Sequence, residues 1–355
     1  MAKAGAMMGQ SDTGATAGPD RLTPLTGFGP NPGALLGHVY VPEDLPPSAP
    51  LVVVLHGCTQ TAAGYDAGSG WSQLADREGF AVLFPEQTRT NNPNLCFNWF
   101  ASEDIARSGG EADSIAQMTE AMIATHGLDP ARVYVTGLSA GGAMTMTMLA
   151  TRPDLYAGGA VIGGLAFGTA IGVAQAFDRM RGHGEPSDAA LVETVQRAAR
   201  GHDGRWPTLS IWHGDADATV SVSNADMIGR QWRGLHGIAE DAGREDRIGK
   251  AVHRVWTDAE GRAAVEEWIV PGMGHGTPID PTASDGIGAA APFMLDVGIA
   301  STTLIAAGWG LVEPERVART ATRTPPPRAP AAPKPSTNPV HDAIENALRA
   351  AGLMR

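Results

Sequence analysis

The chain is short of basic residues, of long apolar runs and of cysteine, and each shortage removes a class of function. Lys and Arg number 26 against 38 Asp and Glu, a formal net charge of −12, with a pI near 5.2. Gripping a phosphate backbone needs clustered cations, so nucleic acid and anionic membrane surfaces are excluded as partners. No segment reaches the roughly 18 uninterrupted apolar residues of a membrane span. The nearest, Val297 to Val312, carries Ser301, Thr302 and Thr303 and predicts a buried closing helix. Residues 1–20 are rich in Gly, Ala, Ser and Thr and contain no apolar h-region. As written they are not a secretory signal, which by sequence points to the cytoplasm. There are two cysteines, Cys58 and Cys96.

What is present suits one large catalytic domain: 355 residues, 43% of them hydrophobic, supply a full core. Apolar runs at Pro50–Leu55, Phe80–Phe84, Arg132–Thr136, Gly159–Ile162 and Leu209–Trp212 read as strands buried on both faces. They alternate with amphipathic helices expected over Asp66–Arg77 and Ser114–His126, the rhythm of a mostly parallel sheet flanked by helices. Helical stretches at Ile171–Arg181 and Asp188–Arg200 place an insertion, about 165–205, before the strand at Leu209. It reads either as a cap over a site or as a decoration without substrate contact. Val252–Trp256 and Ala263–Val270 form a hairpin around Asp258-Ala259-Glu260-Gly261. The expected division is a flexible segment 1–32, a catalytic domain 33–312, and a proline-rich linker with a short terminal helix over 313–355.

The chemistry centres on Gly137-Leu138-Ser139-Ala140-Gly141, set between a β-branched run and a helix-prone stretch. A serine at the apex of a strand–turn–helix elbow is lifted clear of the sheet, and only small neighbours fit around the strained turn. This predicts acyl transfer by Ser139, with the Ala140 amide donating to an oxyanion at the start of the helix. Such a nucleophile needs an acid and a base, in that order, after later strands. The strand at Leu209 runs into His213-Gly214-Asp215-Ala216-Asp217, where two aspartates compete. Asp217 is favoured because the later carboxylate can reach back across the strand tips, leaving Asp215 to hydrogen-bond the turn. The base is His275, in the loop Pro271-Gly272-Met273-Gly274-His275-Gly276 after the last strand. The second oxyanion donor is assigned to the Cys58 amide in His56-Gly57-Cys58-Thr59-Gln60, where Gly57 lets the backbone turn inward. No Cys, His or carboxylate near His56 has ligand spacing, so His56 is read as structural, and neither metal nor organic cofactor is required.

Five segments together carry a resemblance: Leu55–Gln60, Asn91–Phe100, Gly137–Gly142, Asp215–Val220 and Gly272–Pro278. They resemble the polyhydroxybutyrate depolymerase family of α/β-hydrolase esterases, which also holds feruloyl and acetylxylan esterases. The likeness runs from about Gly33 to Leu311. It implies the α/β-hydrolase fold and a serine carboxylesterase whose nucleophile, acid and base map onto Ser139, Asp217 and His275. The implied partner is a poly- or oligo-(3-hydroxybutyrate) or similar short-chain polyester; the alternatives are a feruloyl or acetylxylan ester, or a catalytically silent binding protein on the same fold. The resemblance further implies a Cys58–Cys96 disulfide, which suits an extracellular or periplasmic compartment; two free thiols in a cytoplasmic enzyme remain the other reading. A bridge would carry Trp99 to the mouth of the cleft, where a flat indole suits a substrate-binding role.

Overall fold

The computed structural model describes residues 21–312; the proline-rich stretch and terminal helix expected over 313–355, and residues 1–20, lie outside them. The first half runs β1 (Thr23–Leu25), β2 (Leu36–Tyr40), β3 (Leu51–Leu55), α1 (Ala62–Ser69), α2 (Trp71–Glu78), β4 (Ala81–Glu86), α3 (Gly110–His126), β5 (Val133–Leu138), α4 (Ala140–Thr151) and β6 (Gly158–Ile162). The second half runs α5 (Val173–Met180), α6 (Asp188–Ala199), β7 (Thr208–Gly214), α7 (Ser223–His236), β8 (Arg244–Ile248), β9 (Ala251–Thr257), β10 (Ala263–Val270), β11 (Thr277–Ile279), β12 (Met294–Asp296) and α8 (Ser301–Gly308). Ten strands form one sheet in the order β1-β2-β4-β3-β5-β6-β7-β10-β9-β8. The run from β4 to β10 is parallel, and the outer strands at both edges are antiparallel. β3, β5 and β6 are buried along their whole length, as strands covered by helices on both faces must be. Two apolar clusters, one per face, complete the core.

Several boundaries differ from the sequence reading for identifiable reasons. The single helix expected over Asp66–Arg77 is two, because Gly70 takes φ +77° and bends the chain between α1 and α2. A Cβ there would lie 2.6 Å from the Gly288 amide nitrogen, so only glycine fits the approach. Within residues 21–32, expected to be flexible, β1 pairs with β2 and Leu22 is buried. β8, Arg-Glu-Asp-Arg-Ile, lacks any apolar alternation and has no counterpart in the sequence reading; its charges suit an exposed sheet edge. Within 165–205 the helices fall where expected, at α5 and α6. Arg230 on α7 ties this insertion down through Glu185 and Asp188, each at 2.8 Å. No helix among the described residues is long and apolar enough to cross a membrane.

Candidate active site

The parallel strands end along one rim, and the loops that follow them converge there. After β5 the chain turns through Ser139 at φ 57° and ψ −117°, a strained conformation for a residue with a side chain, before α4 begins at Ala140. The turn closes because its neighbours are glycine. A Cβ at Gly137 would come within 2.4 Å of the Gly141 carbonyl oxygen, and one at Gly141 within 2.3 Å of the Leu55 carbonyl oxygen. Ser139 N donates to Ile162 O at 2.8 Å, anchoring the elbow to β6.

The loops after β7 and β10 meet beside it. His275 Nδ1 lies 2.7 Å from Asp217 Oδ2, and since a carboxylate only accepts, Nδ1 carries the proton and Nε2 keeps a lone pair. Asp217 Oδ1 accepts from the backbone N–H groups of Thr219 and Val220. Burial alone would push the Asp217 carboxyl up, but hydrogen bonds from His213 and His275 outweigh it and hold the group below the usual carboxylate range. Asp215 faces elsewhere: its Oδ1 accepts from Gly272 N at 2.6 Å, lacing the acid loop to the histidine loop. Gly163 closes the other side, where a Cβ would stand 3.2 Å from the His275 ring.

His213 is a member of this cluster that the sequence reading passed over. It is fully buried, its Nε2 donates to Val220 O at 2.9 Å, and the same nitrogen lies 3.4 Å from Asp217 Oδ2. The signal was the spacing: a histidine at a strand tip four residues before a carboxylate.

On the opposite flank, Cys58 and Cys96 form a disulfide across 38 residues. Of the amides in the loop 57–60, Gly57 N donates to Gln60 Oε1, Thr59 N to Asn94 O and Gln60 N to Gly57 O. The Cys58 N–H is the one with no protein acceptor among the described residues. Ala140 N, at the first position of α4, has no intrahelical partner either. The left-handed residue of the loop is Thr59, at φ 66°. Gly57 serves another purpose: it makes room for the Gln60 carboxamide, which a Cβ would meet at 3.0 Å. His56 holds the loop, accepting from Gln87 N at Nε2 and donating from Nδ1 to Gly57 O. Glu111 supports the Cys96 segment, accepting from Gln87 Nε2, Asn98 N and Asn98 Nδ2. Burial pushes its carboxyl up to about 8 against the pull of those donors.

Ser139, His275 and Cys58 line one narrow cavity together with Gln60 and Phe293. Trp99, expected at its mouth, is not among the residues that line this cavity. It is 7% exposed and packs with Ala140, Leu165 and Val220 against the disulfide, forming wall rather than lining. The residues 165–205 contribute to that wall and line neither this cavity nor the groove beside it.

A mostly parallel sheet carrying a serine elbow, with a histidine–aspartate pair in the loops beyond, defines a serine hydrolase of the α/β class. The chain belongs to the esterase PHB depolymerase family, whose profile matches residues 38–256, and it is a carboxylic ester hydrolase. It is 44% identical over 292 residues to poly(3-hydroxyalkanoate) depolymerase C of Paucimonas lemoignei, covering 82% of this chain and 70% of that protein. It is 32% identical over 233 residues to acetylxylan esterase A of Emericella nidulans, covering 64% of this chain and 76% of that one. Among solved structures, the acetyl xylan esterase from Aspergillus awamori matches with a TM-score of 0.67 at 27% identity, over 72% of this chain and 93% of that one.

Proposed function

We propose that the chain hydrolyses poly- or oligo-(3-hydroxyalkanoate) esters through an acyl-enzyme on Ser139. The observation that carries the mechanism is the 2.7 Å contact with Asp217 made by Nδ1 of His275, a residue that lines one cavity with Ser139. With Nδ1 committed to the carboxylate, Nε2 is the base that takes the Ser139 proton as Oγ attacks the ester carbonyl. The proton then passes to the leaving alcohol, water enters by the same route, and the acid product departs. Asp217 holds the imidazole tautomer and stabilises the imidazolium as it forms. The N–H groups of Cys58 and Ala140 receive the oxyanion, a role supported by their lack of protein acceptors. His213 positions Asp217, so the carboxylate is held from both its flanks.

The polyester reading rests on the 44% identity to the Paucimonas depolymerase. A second reading, an acetylated carbohydrate as substrate, is favoured by the likeness to the Aspergillus acetyl xylan esterase. Turnover on 3-hydroxybutyrate oligomers, polyester film, acetylated xylan and methyl ferulate separates them: the oligomers should give the highest kcat/KM, and a preference for acetylated xylan would replace the first reading by the second.

A further inference from the structure

The cavity beside Ser139 is small, about 10 Å³, room for little more than one water. A groove of about 540 Å³ lies beside it. Two residues border both spaces, Gln60 and Phe293. An ester chain that runs from the cavity into the groove therefore passes them.

Both residues are held in ways that the core does not require. Phe293 has φ 64°, a conformation that a bulky side chain adopts only under constraint. Its carbonyl accepts from Thr277 N, and its ring stands edge-on to His275 with centroids 6.3 Å apart. The orientation of the Gln60 carboxamide is fixed by chemistry. Gly57 N can only donate, so the atom 2.8 Å away is the amide oxygen. The two N–H groups of Gln60 Nε2 then face away from the loop, and among the described residues they have no acceptor. Beyond them the groove offers the exposed side chains of Thr59, Thr61, Ala291 and Pro292. That mixture suits a chain in which ester groups alternate with short alkyl branches.

We propose that Gln60 and Phe293 form the passage from the reacting ester to a subsite for the neighbouring ester unit, and that Gln60 Nε2 donates to that unit's carbonyl oxygen. The inference rests on the oligoester reading above and adds to it a place and a partner for the second repeat. Single esters have no second carbonyl to present and gain nothing from the site. The donor accounts for a preference between substrates, while the Ser139 chemistry is common to both.

The test compares kcat/KM for a 3-hydroxybutyrate trimer methyl ester with that for p-nitrophenyl acetate, in wild type, Gln60→Glu and Ala291→Trp. Gln60→Glu keeps an oxygen for Gly57 N and removes both donors; Ala291→Trp fills the groove from an exposed position. The ratio of trimer to acetate should fall about tenfold in Gln60→Glu, the size of one lost hydrogen bond, and at least as far in Ala291→Trp. Ratios within twofold of wild type in both variants, with the trimer still turned over, would overturn the subsite and leave the oligoester reading standing. A wild-type enzyme that cleaves the acetate and ignores the trimer would overturn the oligoester reading and the subsite with it. A fall in Ala291→Trp alone would overturn the Gln60 hydrogen bond.

Discussion

The two flanks of Ser139 are held by different physics. On one side, the Asp217–His275 pair is fixed by hydrogen bonds: from buried His213, from two backbone amides, and through the Asp215 contact that laces the two loops. On the other, the Cys58 amide is fixed by a covalent bridge and by Glu111, a carboxyl whose burial favours its neutral form. The difference assigns each flank its own failure. Acid attacks the first, because Asp217 is depressed: its contribution to stability is present above the unfolded value near 3.8 and is lost as pH falls below it. Reductant attacks the second, and so does base. Glu111 is raised from 4.5 to about 8, so between those values the unfolded chain binds fewer protons and stability declines as pH rises.

The largest effects should come from removing the nucleophile between the two flanks or the base that serves it. Ser139→Ala or His275→Ala is expected to lower kcat/KM by about 10³-fold or more in a protein that melts as wild type does, since such groups act as a unit. Next, Asp217→Asn should cost on the order of 10²-fold or more in kcat, whereas Asp215→Asn, which loosens one loop contact, should cost less than about tenfold. Steady-state kinetics on p-nitrophenyl acetate rank the two, and the reverse order would move the acid to Asp215. Breaking the bridge by Cys58→Ser with Cys96→Ser should lower stability by about 2–4 kcal/mol in denaturant titrations. It should also lower kcat as the Cys58 amide loses its fixed place, with the acid limb of the pH–rate profile unmoved. The smallest effect sharpens the contrast. Glu111→Gln turns an N–H toward donors that now meet oxygen, at about 1–3 kcal/mol. The stability gap to wild type should be widest near pH 5 and narrow toward pH 8 in melting curves.

Sequence legibility divided along the same line as local and long-range structure. The elbow was readable because its requirement is local: three small residues around one serine, between a strand and a helix. His275 and Asp217 were readable as residues just past strand ends, where a parallel sheet always delivers its loops. The choice of Asp217 over Asp215 followed from reach, and the structure bonds the two to different partners. Phe293 gave no such signal. Its place depends on the pairing of β11 with β12, two three-residue strands too short for any alternation to register. Gln60 lies within the motif Leu55–Gln60, yet its role turns on which end of a carboxamide meets Gly57, a fact of three dimensions. Trp99 was placed by its distance from Cys96 along the chain, whereas its packing with Ala140, Leu165 and Val220 is long-range. The split of one expected helix at Gly70 belongs to the same group, since the contact with Gly288 that requires it lies 218 positions away.

The most direct measurement is the rate at which a fluorophosphonate labels the protein, with the modified peptide identified by mass spectrometry. One label on Ser139 is expected in the active enzyme. Its rate should fall in acid in step with the Asp217–His275 flank, and fall on reduction of Cys58–Cys96 at neutral pH. Ester turnover that persists with Ser139 unlabelled, or a label carried by another serine, would contradict the account.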